Sequence, residues 1–179
     1  MRSSTPATAA AHRLDAARRR AALALPWLAA ALLAIAALLS GCSSAPPPPP
    51  KPTQIAATLT ASANVNPDLR KRASPVVVRV YELKSSAAFD AADFISLYER
   101  DQATLGAEMG SREEFTLRPG DSKPWEKTAG ADVRYIGVMA AYRDIEHARW
   151  KALIPLKANV RNVISIKVDE IAVTGSSTP

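Results

Sequence analysis

The sequence predicts a mainly β domain: an antiparallel β-sandwich of about seven strands with a short helical insertion. Three observations support that class. After residue 53, apolar and polar residues alternate in most segments, the period of strands that bury one face. Clusters of Asn, Asp, Pro and Gly interrupt these segments at short spacing, as the turns of a sandwich do. One stretch, about residues 86–110, changes to helical spacing. The domain so defined occupies residues 54–174, and residues 175–179 read as a disordered tail.

Residues 54–64 open the domain. Ile55, Ala57, Leu59, Ala61 and Ala63 share one face, and Ala56, Thr58, Thr60 and Ser62 the other, as in a half-buried strand. Asn64-Val65-Asn66-Pro67-Asp68 is a turn, and Leu69-Arg70-Lys71-Arg72 extends it into a cationic loop. Residues 75–83 form the clearest strand. They are β-branched and aromatic, with proline at the first position, where a missing donor costs least. Phe94, Leu97, Tyr98, Leu105 and Met109 then recur at helical spacing. Asp90 is the expected cap of a first helix, Asp101 of a second, and Gly110 the terminator. Strands follow at residues 113–118 and 121–129, with Pro119-Gly120 turning between them. Residues 133–142 are almost continuously apolar, which suits a strand covered on both faces. A further strand spans residues 149–156. Ile164, Ile166 and Val168 then alternate with Ser165 and Lys167 until the phase flips near Asp169-Glu170, where a β-bulge is expected.

The first 53 residues are of another kind. Residues 21–39 are uncharged, rich in Ala and Leu, and preceded by Arg18-Arg19-Arg20. The run ends in Leu39-Ser40-Gly41-Cys42, and Cys42 is the only cysteine in the chain. Small residues at Ser40 and Gly41 let a protease approach the backbone, and Leu39 offers it an apolar contact. This pattern is that of a bacterial lipobox. It makes residues 1–41 a lipoprotein signal peptide, and Cys42 the carrier of a covalent diacylglycerol and an N-acyl chain. No other cofactor is expected. A permanent membrane-spanning helix is the competing reading of residues 21–39, since about 20 apolar residues cross a bilayer. Pro26 and the small-residue ending weigh against it. Residues 42–53 comprise the lipidated cysteine and a Pro-rich tether. In polyproline II geometry, at about 3.1 Å per residue, residues 43–53 reach roughly 34 Å. Ser43 stands where an aspartate would signal inner-membrane retention, so the expected location is the periplasmic face of the outer membrane.

Charge and chemistry exclude more than they suggest. The formal net charge of +6 lies largely in the leader, where five arginines face Asp15; beyond residue 41 there remain 18 basic and 16 acidic residues. A nucleic-acid partner is not implied. His147 is the only histidine after the leader and reads as a solvated turn residue, so neither a metal site nor a Ser-His-Asp triad can be assembled. Glu113-Glu114 are adjacent on a strand and point to opposite faces, unlike a glycosidase pair. Seven glycines are too few and too scattered for a phosphate loop. The chain is expected not to be an enzyme and to take no small-molecule substrate. Trp125 and Trp150 read as packing residues. The cationic loop is the remaining candidate for recognition, since loops on rigid sandwiches often carry it.

With these segments in hand, the chain resembles the TssJ family, outer-membrane lipoproteins of the bacterial type VI secretion system. The matching residues are Leu39-Ser40-Gly41-Cys42, Asn64-Val65-Asn66-Pro67-Asp68, the stretch Ser74-Pro75-Val76-Val77-Val78-Arg79-Val80-Tyr81-Glu82-Leu83-Lys84, Phe89, Asp93-Phe94, Leu117-Arg118-Pro119-Gly120, Tyr135-Ile136-Gly137-Val138 and Trp150. The resemblance implies a transthyretin-like β-sandwich with an added helical element. It implies a structural role, anchoring the secretion membrane complex by binding the C-terminal periplasmic domain of TssM, with TssL in the same complex. It places part of that contact on the loop between the first two strands, here Asn66, Pro67, Asp68, Leu69, Arg70, Lys71 and Arg72. The alternative is a generic envelope lipoprotein with a sandwich domain, pilotin-like or ligand-binding.

Overall fold

Alternating burial in the first strand sets the architecture. Ile55, Ala57, Leu59 and Ala61 are buried on one face of β1 (Gln54–Ala61), while its threonines face out. The computed structural model describes residues 48–179, and Leu39 to Cys42 lie outside the described residues. Beyond β1 come β2 (Val76–Leu83), β3 (Met109–Leu117), β4 (Ser122–Thr128), β5 (Tyr135–Ala141), β6 (Lys151–Pro155), β7 (Arg161–Val168) and β8 (Val173–Thr178). Two four-stranded sheets result, in the orders β4-β1-β7-β8 and β3-β2-β5-β6. The expected sandwich is therefore present, with eight strands among the described residues rather than about seven.

The eighth strand corrects two expectations. Residues 175–178 are not a frayed tail but pair with β7 in antiparallel register, Val163 opposite Thr178. The phase flip near Asp169-Glu170 is a chain reversal, not a bulge: the amide of Asp169 donates to the carbonyl of Ala172, and Val168 lies opposite Val173. Two strands joined by a tight turn give the same break in alternation as a bulge within one strand. The fold also departs from pure antiparallel pairing, because β1 and β7 run parallel. The one register shift in β2 falls at Glu82/Leu83, against β3. At the other boundary, Thr53 is already part of the domain: it is buried, its carbonyl accepts from Ala129 and its hydroxyl accepts from the amide of Asn159.

The helical insertion covers the outer face of the β3-β2-β5-β6 sheet. It comprises α1 (Ala87–Ala91), α2 (Phe94–Leu105) and a 3-10 turn (Gly106–Glu108). Asp93, not Asp90, is the cap: its carboxylate accepts from the amide of Ser96 at 2.9 Å. A break at Arg100 divides α2, and Asp101 restarts it by accepting from the amide of Gln102 at 2.8 Å. Termination falls at Gly106, whose φ of +50° suits glycine, while Gly110 lies in β3. Lys151 closes α1, its ammonium donating to the carbonyls of Phe89, Asp90 and Ala92 at 3.1, 2.7 and 2.9 Å. A cation there complements the negative end of the helix dipole.

Two apolar clusters lie on either side of β2. Val76, Val78 and Val80 join the core between the sheets. Tyr81 and Leu83 join Phe89, Leu97, Leu105 and Met139 beneath the helices. β5 is shared in the same way, as expected of a strand covered on both faces: Ile136, Val138 and Ala140 point into the sandwich, and Met139 toward the helices. Gly137 lies on the helix side because nothing larger fits. A Cβ there would come within 2.8 Å of Leu83 Cδ1 and 2.9 Å of Phe89 Cε2. Overpacking of this kind costs about 1–3 kcal/mol. Gly137→Ala is expected to lower stability by that order in urea unfolding, and the loss should be smaller when combined with Phe89→Ala than the two single losses added together.

Candidate docking groove

Strand direction determines which loops can meet. The C-terminal end of β1, the N-terminal end of β2 and the Pro119-Gly120 turn between β3 and β4 lie at one end of the sandwich. The registers place the β5–β6 connection and the β7–β8 turn at this end as well. The chain enters β1 at the opposite end, at Gln54. Eight residues of β1 separate the two ends, which is about 27 Å of extended strand.

Three of these four connections line a groove of about 790 Å³. The loop from Pro67 to Arg72 forms one wall, Arg143, Asp144 and His147 a second, and Glu170 with Ile171 a third. The expected recognition loop is therefore one wall of a composite site. The other walls were missed because residues 66–72, 143–147 and 170–171 are far apart in sequence. Only the sense of each strand, counted from β1 to β8, brings their turns to one end.

Asn66 joins the walls. It is 4% exposed, and its φ of +49° lies in the left-handed region that asparagine tolerates better than most residues. Its side-chain amide donates to the carbonyl of Pro75 at 2.8 Å, and its side-chain oxygen accepts from the amide of Arg143 at 2.8 Å. Its own amide donates to the carbonyl of Glu170 at 3.0 Å. One side chain and one backbone group thus connect the β1–β2 loop, the β5–β6 connection and the β7–β8 turn.

The loop beyond Asn66 is folded on itself. The amide of Asp68 donates to the carbonyl of Arg72 at 2.9 Å, and that of Lys71 to the carbonyl of Asp68 at 2.8 Å. Lys71 takes φ +61° to allow this. The Asp68 carboxylate accepts from the amides of Arg70 and Arg72, and pairs with the Arg72 guanidinium at 2.7 Å. The bonds from Arg72, backbone first and then side chain, hold the Asp68 carboxyl below its ordinary range. Leu69 is fully exposed at the tip. Such a loop has little ordering entropy left to lose on binding.

The structure also places the other residues singled out in the sequence. His147 is exposed, its Nδ1 2.8 Å from Asp144 Oδ1. Glu113 and Glu114 do point to opposite faces: Glu113 accepts from the Trp125 indole inside, and Glu114 from Arg79 outside. Trp125 is buried, and Trp150 packs edge-on against Phe94. Among the described residues no cluster of His, Cys, Asp and Glu is arranged to hold a metal.

The domain is thus a two-sheet sandwich with helices on one face and a charged groove at one end. The chain belongs to the type VI secretion lipoprotein family, the family of VasD, EvfM and TssJ, whose profile matches residues 53–171. TssJ1, a type VI secretion lipoprotein from Pseudomonas aeruginosa, is 34% identical over 72% of this chain and 98% of its own, with a TM-score of 0.69. Lip from Serratia marcescens, a membrane-bound component of the type VI secretion system, is 26% identical over 68% of this chain and 94% of its own, with a TM-score of 0.64. A chain in a structure described as the C-terminal domain of TssM from EAEC shares the fold at 23% identity, covering 66% of this chain and 97% of its own, with a TM-score of 0.56. No curated protein matches by sequence.

Two outcomes follow from this geometry. Asn66→Ala removes partners from the carbonyl of Pro75 and the amide of Arg143, and each unpaired buried group costs about 1–3 kcal/mol. The variant should unfold at lower urea, and the Arg143 amide should exchange its hydrogen faster. The second concerns His147, whose hydrogen bond and charge contact with Asp144 raise its pKa above the ordinary 6.5. A raised value means that the pair's contribution is complete below the unfolded value and fades as pH rises through the folded one. On the Asp144 side, whose pKa the bond lowers from 3.8, it fades as pH falls. An NMR titration of His147 should therefore have its midpoint above 6.5, moving down in Asp144→Asn. A wild-type midpoint at or below 6.5 would show that the pair does not form in solution.

Proposed function

We propose that this lipoprotein is a structural anchor of the type VI secretion membrane complex, held at the periplasmic face of the outer membrane by acyl chains on Cys42. It binds the C-terminal periplasmic domain of TssM, in a complex that includes TssL, and catalyses no reaction. The observation that carries this reading is the self-folded loop of residues 66–72, built into a groove at the end of the domain away from the tether. Membership of a family of secretion lipoproteins supports it. The role of the lipid follows from its strength as a hold. Each buried methylene contributes about 0.8 kcal/mol, so several chains together make release negligible where one would leave it reversible.

The geometry separates the loop cations by role. Arg72 is committed to Asp68, so altering it disturbs the loop itself. Arg70 and Lys71 form no ion pair among the described residues and are free to meet a partner. Reversing both, as Arg70→Glu with Lys71→Glu, is expected to weaken capture of the periplasmic TssM fragment by about tenfold or more without changing the unfolding curve. Unchanged capture removes this loop from the contact. Cys42→Ser should abolish acylation and remove the protein from the outer-membrane fraction. A variant that still fractionates there refutes the lipid anchor.

A further inference from the structure

The groove is electrostatically incomplete. Its three acids are all engaged within the domain: Asp68 with Arg72, Asp144 with His147, and Glu170 with the side-chain amide of Asn64 at 3.1 Å. Three of its cations are not. Arg70, Lys71 and the guanidinium of Arg143 make no ion pair within 4.0 Å among the described residues. They come from two different walls, yet Asn66 fixes the backbone of Arg143 against the loop that carries the other two. The same groove is lined by two exposed apolar side chains, Leu69 at the loop tip and Ile171 on the third wall. Outside the groove some cations are held internally, Arg79 by Glu114 and the carbonyl of Tyr98, Arg112 by Asp101, Lys151 by the end of α1, whereas Arg100, Arg118, Arg149, Lys157 and Lys167 make no ion pair among the described residues and do not line the groove.

From this clustering of unpaired cations around one groove we propose that the groove receives an acidic segment of its protein partner. Carboxylates sit between the Arg70–Lys71 pair on one wall and Arg143 on the other, and an apolar residue of the segment packs on Leu69 and Ile171. The inference rests on the docking role proposed above and adds its chemistry and its second wall. Planar guanidinium groups suit bidentate capture of carboxylates. Uncommitted cations at the rim raise the association rate, an effect that salt suppresses.

The test uses the full-length acylated chain in detergent, with the periplasmic TssM domain and, separately, two synthetic peptides, one rich in glutamate and its glutamine counterpart. Binding of the TssM domain should weaken by at least about tenfold as salt rises from about 0.01 to about 0.15 M. Arg143→Glu, which lies outside the β1–β2 loop, should weaken it comparably at low salt with the unfolding midpoint unchanged, and Arg143→Lys should recover part of the loss. The glutamate peptide should shift the NMR signals of Arg70, Lys71 and Arg143, and the glutamine peptide should not. TssM binding that ignores both salt and Arg143→Glu overturns the acidic segment while leaving the docking role intact. Absence of TssM binding with a selective response to the glutamate peptide removes TssM but keeps the groove's chemistry. Equal response to both peptides, or to neither, overturns the groove as a carboxylate site.

Discussion

β2 is buried on both of its faces, and most of the molecule is arranged to satisfy that strand. Its valines need a second sheet, and Tyr81 and Leu83 need a cover on the other side. Each such side chain contributes about 1.5–3 kcal/mol when removed from water. The helices provide the cover, but a sheet presents charged residues on that side too. Arg79 is tied to Glu114 and to the carbonyl of Tyr98, and the Tyr81 hydroxyl is 3.3 Å from the buried carboxylate of Asp101, which Arg112 neutralises at 2.7 Å. Burial pushes the Tyr81 pKa up to about 12, so the phenol stays protonated as a donor. The insertion is therefore part of the core.

The same economy explains the groove. A sandwich must turn its chain at both ends, and turns are where polar side chains can project without cost to the core. Here the β1–β2, β5–β6 and β7–β8 connections are joined by a single buried asparagine. That arrangement converts three independent turns into one rigid wall system.

Much of this could be read in the sequence, and for physical reasons. β1, β2, β5 and β7 have strong alternation or continuous burial, and they emerged close to their observed limits. Boundaries that depend on capping were less visible. Asp90 and Asp93 are chemically equivalent as caps, and only the backbone of Ser96 decides between them. The chain reversal after Val168 imitates a bulge, because both interrupt a period of two. The cationic loop stood out by composition, but its opposing wall did not, since contacts such as Asn66 to Arg143 span 77 residues. Glu82 gave no sign of its burial either: it lies on the inner face of β2 at 5% exposure, 3.4 Å from Lys127. Lipidation at Cys42 remains a reading of sequence, since that residue lies outside the described region.

β1 has one further consequence, and it is mechanical. The chain enters β1 at Gln54 and the groove loop leaves past Ala61, so a pull between the proposed anchor and the proposed partner would run along the strand axis. β1 is held on both sides, by β4 and by β7, through hydrogen bonds that lie across that axis. Such a load acts on the two ladders in shear, with the bonds sharing it together instead of opening one after another from an end. β8, which does not pair with β1, carries none of it directly. Under the proposed role, a strand in the middle of a sheet, loaded from the lipid side at one end and from the partner side at the other, would act as a tension member, and the rest of the sandwich would keep it from slipping.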